Sequence, residues 1–240
     1  MIRRSIPNGI TALNLVLGML ALLLLGKEEF LLACLALGGA GLADFLDGLA
    51  ARALGVQSEI GIQLDSLADM VSFGLVPGLI YFQILSQSAD SAAIIPWLAL
   101  PACLVAVFSA FRLARFNLDS RQRSGFVGLP TPANTLLAVG LLLVFMRDPY
   151  GLSDWVGSLG VLYPVIGLTC WLLVAEIPMF SLKFKTLSWR GNEIRIIFVL
   201  ASGILLLLFQ EVGLVAIIVL YISLSILFKP NIVHEIPGGN

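Results

Sequence analysis

Eight stretches of this 240-residue chain are apolar for about as long as a helix needs to cross a bilayer, and little chain is left over for anything else. A crossing takes about 20 apolar residues, with several residues of tolerance for tilt. On that ruler the spans are 10–26, 29–52, 60–86, 92–117, 131–147, 156–179, 193–210 and 212–228. The break between the last two, around Gln210, Glu211 and Gly213, is short enough to predict a tight helical hairpin, because one fused helix over 193–228 would be too long to cross once. Hydrophobic residues make up 59% of the chain and charged residues 12%, with a mean hydropathy of +1.00, too little polar surface to cover a soluble globule. The expected fold is an all-α polytopic membrane bundle of about eight transmembrane helices. Six of them form a core within residues 1–180, and a C-terminal hairpin with a short tail occupies 181–240.

Several function classes fall away at once. A net charge of −1 without a basic block or an aromatic-interleaved basic run argues against nucleic acid as a partner. Cys34, Cys103 and Cys170 stand singly inside apolar segments, without metal-site or disulfide spacing, and read as packing residues. The apolar run after Met1-Ile2-Arg3-Arg4 outlasts a signal-peptide core and lacks a small-residue cleavage site, so it reads as a first span. The longest polar stretches are 118–128, 181–193 and the tail from Lys229, where Pro230, Pro237, Gly238 and Gly239 predict a short disordered end. Any chemistry is therefore expected at the membrane.

With the N-terminus cytoplasmic, one side carries Arg3, Arg4, Arg52, Arg112, Arg115, Arg121, Arg123, Lys183, Lys185, Arg190, Arg195 and Lys229, against Lys27 and Arg147 on the other. That positive-inside asymmetry predicts that both termini are cytoplasmic. Under this topology the second span approaches the cytoplasm as it reaches Asp44 and Asp47, and the third leaves it while passing Asp65 and Asp69. Four carboxylates then converge near one face, a result obtained from Lys and Arg alone.

An ionised carboxylate at membrane depth is costly, so four within residues 44–69 require a cation, an aqueous cavity or a shared task. Asp44 and Asp47 lie about 4.5 Å apart along a helix axis, and Asp65 and Asp69 about 6 Å, each pair on one face. Two such faces opposed form an oxygen-rich pocket suited to Mg²⁺ or Mn²⁺, and four carboxylates can hold two ions by bridging. Paired divalent ions are most useful around a diphosphate, whose charge they neutralise. Gly48 and Ala51 keep the surface beside Asp47 bare, as Gly61 does one turn before Asp65, which suits close approach of a nucleotide or, equally, small-residue helix packing. Arg52 suits either a phosphate contact or the charge bias of the interface.

Asp44, Asp47, Gly48, Ala51, Arg52, Gly61, Asp65 and Asp69 fit every fixed position of D-x-x-D-G-x-x-A-R-x8-G-x3-D-x3-D, so the chain resembles the CDP-alcohol phosphotransferase family. In that family a hydroxyl compound attacks the phosphorus of a CDP-linked lipid and releases CMP. The resemblance implies that Asp44, Asp47 and Asp65 are metal ligands and that Asp69 is a ligand or the general base. It implies a homodimer as well. A serine or glycerol hydroxyl is a poor nucleophile at neutral pH, and a carboxylate beside a cation is a sensible activator.

Three further stretches resemble the phosphatidylserine synthase branch. They are Pro7-Asn8-Gly9-Ile10-Thr11-Ala12-Leu13-Asn14 with Gly18; Leu64-Asp65-Ser66-Leu67-Ala68-Asp69 with Val71-Ser72-Phe73-Gly74 and Pro77; and Phe111-Arg112-Leu113-Ala114-Arg115-Phe116-Asn117 with Phe126 and Gly128-Leu129-Pro130-Thr131-Pro132. The glycerol-phosphate branch typically has Arg where this chain has Asn14. Together with the signature the likeness covers about residues 5–135. Asn8 and Thr11 are candidates to read a cytosine edge or ribose, or else to cap the first helix. Arg112 and Arg115 suit the serine carboxylate or the lipid phosphate, or else interfacial anchoring. Asn117 suits a cap or a substrate contact, and Gly128–Pro132 a rigid turn over the cleft or a simple turn. Glu176 has no assigned role.

The expected donor is CDP-diacylglycerol or an archaeal CDP-ether lipid, and the expected acceptor is L-serine. Glycerol 3-phosphate and an inositol phosphate are the alternative acceptors, and Arg121 and Arg123 do not exclude them. A cation-coupled transporter would instead show midplane carboxylates and repeated halves, whereas residues 131–228 hold no second aspartate set.

Overall fold

A computed structural model describes residues 2–56, 58–88, 96–118, 126–180 and 192–228. The protein is an all-α polytopic membrane bundle. Helix α1 runs Ile2–Gly26, α2 Phe30–Leu54, α3 Glu59–Asp69 and α4 Val76–Gln87, the last two joined by a π-helical turn over Met70–Leu75. A 3-10 turn, Pro96–Ala102, leads into α5, Cys103–Leu118. Then come α6 (Thr131–Arg147), the short α7 (Ser153–Gly157), α8 (Leu159–Val174) and α9 (Glu193–Phe228). Ser5–Gly26, Phe30–Leu54, Glu59–Gln87, Trp97–Leu118 and Glu193–Phe228 are long and apolar enough to cross a bilayer, with Thr131–Arg147 and Leu159–Val174 as shorter apolar helices.

Run α9 is not one straight helix. Gln210 takes φ 47° and ψ −112°, and beyond it Gly213 lies against the Leu205 carbonyl and Leu206, contacts possible only if the chain folds back. The chain therefore turns back on itself at Gln210, and Gly213 is bare because any side chain there would meet the opposing backbone. Arg147 Nη1 donates to Glu211 Oε1 at 2.6 Å and fastens the bend to the end of α6.

One expectation needs correction. The sixth span was drawn over 156–179, but the helix stops at Val174. Pro178–Met179 instead forms a two-residue antiparallel pairing with Phe126–Val127. Pro178 lacks an N–H for a helix to use. The adjoining turn is pinned to this end of α8: Gly128 N donates to Ile177 O at 2.9 Å and Leu129 N to Leu172 O at 2.8 Å. Gly128 has φ +76°, and a Cβ there would come within 2.8–3.1 Å of the Leu172, Leu173 and Ala175 carbonyls. The Gly128–Pro132 stretch is thus a turn locked onto α8.

Two apolar clusters hold the bundle. The larger joins Leu25, Leu37, Ile80, Tyr81, Ile84, Val105, Leu142, Leu162 and Ile166 across α1, α2, α4, α5, α6 and α8. The smaller packs Leu129, Leu172, Met179 and Phe180 against Phe198, Ile217 and Tyr221 of α9, with Phe180 edge-on to Phe198. The start of the fourth span at 92–95, the basic residues Arg121, Arg123, Lys183, Lys185, Arg190 and Lys229, and the tail lie outside the described residues.

Candidate active site

The acidic pocket is built from two consecutive helices and a tight turn. Gly55, at φ 62°, caps α2 in the left-handed conformation that a non-glycine residue adopts only at a cost, with Val56 N returning to Ala51 O at 3.1 Å. Ser58 then caps α3, its Oγ accepting from Gly61 N at 3.1 Å. The chain thereby reverses just beyond Asp47 and just before Asp65, and the two carboxylate faces meet.

One oxygen from each of Asp44, Asp47 and Asp65 lies within 4.8 Å of the others. Asp47 is buried, Asp44 and Asp65 half-buried. Asp65 Oδ1 is buried without a hydrogen-bond partner, an expensive condition for a carboxylate oxygen unless a cation completes it. The donors are hard oxygens only, as Mg²⁺ or Mn²⁺ prefers. These three residues fit a divalent-metal site.

Asp69 is placed differently. It lies in the field of Asp44, Asp65 and Arg112, yet its Oδ1 accepts from Asn14 Nδ2 at 3.3 Å. Asn14, fully buried on α1, receives a hydrogen bond on its own Oδ1 from Ser72 Oγ at 2.7 Å. Thr11 Oγ1 is 2.5 Å from Asp47 Oδ2 and 3.0 Å from the Pro7 carbonyl, so its single hydrogen is shared within the protein and orients Asp47. Asn8 Oδ1 faces Gly61, where a Cβ would stand only 3.3 Å away; the bare glycine lets α1 and α3 close together. Ala51 is half-buried, and the exposed Arg52 folds back over Gly48 towards Asp47.

The two arginines of α5 part company. Arg112 is 6% exposed, donates from Nη1 to Thr131 Oγ1 at 3.1 Å, and stacks its guanidinium 5.5 Å from the Phe116 ring centre. Its Nε is buried and unpartnered. Arg115 is exposed and donates to Val174 O at 3.2 Å, capping α8 instead of entering the pocket. The end of α8 offers Arg115 a carbonyl that the helix itself does not use. Asn117 Nδ2 donates to Ser66 Oγ at 2.9 Å, tying α5 to α3 beside Asp65.

In the sequence Ser72 and Asn14 serve only as marks of the branch. Asn8, Thr11 and Asn14 recur every three residues in an otherwise apolar helix, a polar stripe that signals a common partner.

A bundle whose second and third crossings present these carboxylates at one turn defines a CDP-alcohol phosphatidyltransferase, and the family model of that description matches residues 4–177. The chain belongs to this family. It is similar to proteins named CDP-diacylglycerol–serine O-phosphatidyltransferase in Mycobacterium leprae (32% identity, 72% of this chain and 57% of that one), Methanocaldococcus jannaschii (41%, 57% and 59%) and Bacillus subtilis (30%, 67% and 86%). The chain thus spans under three fifths of the length of the first two.

Proposed function

We propose that this protein transfers the phosphatidyl group of a CDP-linked diradyl lipid to the hydroxyl of L-serine, giving phosphatidylserine and CMP. The observation that carries the reading is the division of labour among the aspartates: three gathered within 4.8 Å, and the fourth held on Asn14. The names of the relatives support serine as acceptor and CDP-diacylglycerol as donor.

Asp44, Asp47 and Asp65 would hold Mg²⁺ or Mn²⁺, two ions being within reach of a bridging carboxylate set. When bound, such ions neutralise the diphosphate and stabilise CMP as it leaves. Gly48 and Ala51 keep the surface beside Asp47 small for the nucleotide, with Arg52 at its edge, while Gly61 lets α1 bring Asn8 against α3 and Thr11 keeps Asp47 in position. Asp69, engaged through Oδ1, takes the serine hydroxyl proton on Oδ2. The serine oxygen then forms its bond to the lipid-linked phosphorus as the bond from that phosphorus to the CMP oxygen breaks. Arg112, with Nε unspent, meets the serine carboxylate or the lipid phosphate. Arg115 and Asn117 act from the rim by holding α8 and α3 to α5. The displacement is direct, so a pre-steady-state burst or a labelled enzyme–lipid adduct would overturn it.

Residues 1–180 serve as the catalytic core and 181–240 as its hairpin and tail. The site and both termini face the cytoplasm in the cell membrane, a reading the basic-residue asymmetry supports, and the working form is a homodimer. The test is CMP release by protein in detergent with CDP-diacylglycerol and Mg²⁺ or Mn²⁺, comparing serine, glycerol 3-phosphate and an inositol phosphate. Serine-dependent release supports the reading, and release with another acceptor replaces serine while keeping the site.

A further inference from the structure

We propose that Ser72 and Asn14 are positioning residues that together hold Asp69 for proton transfer, an inference that rests on the phosphatidyl-transfer reading. Asn14 and Ser72 are both fully buried, so water is not at hand to replace either hydrogen bond. A carboxylate only accepts, which obliges the Asn14 amide to turn its Nδ2 towards Asp69. That orientation leaves Asn14 Oδ1 facing Ser72, whose Oγ lies 2.7 Å from it and 3.2 Å from the Asn14 main-chain oxygen. The shorter contact takes the hydroxyl hydrogen, and the amide is fixed at both ends.

The surroundings are arranged to keep Ser72 in that place. Gly18, one turn beyond Asn14, has no side chain, and a Cβ there would overlap Ser72 Oγ. Ser72 itself belongs to the widened π-helical turn Met70–Leu75, where the Phe73 carbonyl lies 3.3 Å from Thr135 Oγ1 of α6, whose hydrogen goes to the nearer Thr131 carbonyl at 2.9 Å. Turns of this kind recur at functional sites. The relay thus runs from Ser72 in the widened turn through Asn14 of α1 to Asp69 Oδ1, leaving Oδ2 for the alcohol's proton. Ser72 acts on the reaction only through Asn14.

The experiment compares Ser72→Ala, Ser72→Thr and Gly18→Ala with Ser225→Ala, which removes a buried hydroxyl that bonds Tyr221 O within α9 and none of Asn14, Ser72 or Asp69. Turnover is measured with whichever acceptor the wild-type protein uses, so failure of serine overturns the acceptor alone. Ser72→Ala is expected to lose about tenfold in kcat with KM for both substrates within twofold. Ser72→Thr, which keeps the hydroxyl, recovers most of the loss, Gly18→Ala copies Ser72→Ala, and Ser225→Ala stays at the wild-type rate. A second readout needs no substrate: in ¹⁵N-Asn-labelled protein, with the Asn14 signals assigned by their loss in Asn14→Ala, the side-chain amide protons exchange at least tenfold faster in Ser72→Ala. Wild-type kcat in Ser72→Ala, an equal loss in Ser225→Ala, or unchanged amide exchange would each overturn the relay.

Discussion

Arg112 Nη1 and Thr131 Oγ1 are joined at 3.1 Å across α5 and α6, so the buried guanidinium beside Asp69 is aimed by a residue of the next helix. Thr131 is itself fully buried at the first position of α6, next to the turn locked onto α8. The direction of the arginine is therefore set by the Gly128–Pro132 turn. Replacing Arg112 by Lys keeps the charge but loses the fork and the stacking on Phe116. KM for the acceptor is expected to rise about tenfold, with KM for the CDP-lipid unchanged, an energy of about 1.4 kcal/mol that matches one charge-assisted hydrogen bond. Initial-rate kinetics with each substrate varied in turn checks this.

Thr11 supports a carboxylate of the acidic cluster from outside it. Thr11→Val keeps the shape and removes the donor 2.5 Å from Asp47 Oδ2. Loss of such an outer partner typically costs about 10–100-fold in metal affinity. The Mn²⁺ concentration for half-maximal activity should rise by about that factor while kcat at saturating Mn²⁺ stays within threefold of wild type.

Asp69→Asn is expected to lower kcat about 10²–10⁴-fold, the usual range for a lost proton acceptor. Binding of Mn²⁺ and CDP-lipid should persist, since Asp44, Asp47 and Asp65 remain. Isothermal titration beside the turnover assay separates the two effects, and normal turnover would remove Asp69 from the role of base.

Gly128→Ala tests the locked turn. Its φ of +76° and the carbonyls crowding the Cβ position make a side chain both strained and obstructed. A destabilisation of about 2 kcal/mol or more is expected, seen as a lower Tm in detergent. Glu211→Gln, by contrast, breaks an ion pair whose Arg147 side chain is 56% exposed, and should cost at most about 1 kcal/mol.

The long apolar runs and the eight-position signature made the bundle and the acidic pocket legible, because each depends on spacing that a helix converts directly into position. Thr131–Arg147 begins and ends where hydropathy drew it, between Pro130 and the break at Asp148. Other features turn on contacts between distant segments. Within residues 156–179 Pro178 warns of a helix end, but a stop as early as Val174 goes with the pairing of Phe126–Val127 with Pro178–Met179. The divergence of Arg112 and Arg115 likewise depends on Thr131 and on the Val174 carbonyl, 19 and 59 residues away. The widened turn after Asp69 has no signature of its own, and so the meeting of Ser72 with Asn14 was hidden.

The reversal at Gln210 bears on how the chain is made. Gly213 rests on the Leu205 carbonyl, so the two arms of α9 touch from their first turns, with only Gln210 and Glu211 as polar residues between them. A chain cut after Gln210 would lose both that contact and the Glu211 ion pair with Arg147. Residues 193–228 are therefore expected to enter the bilayer as a pair, each arm supplying the surface on which the other rests.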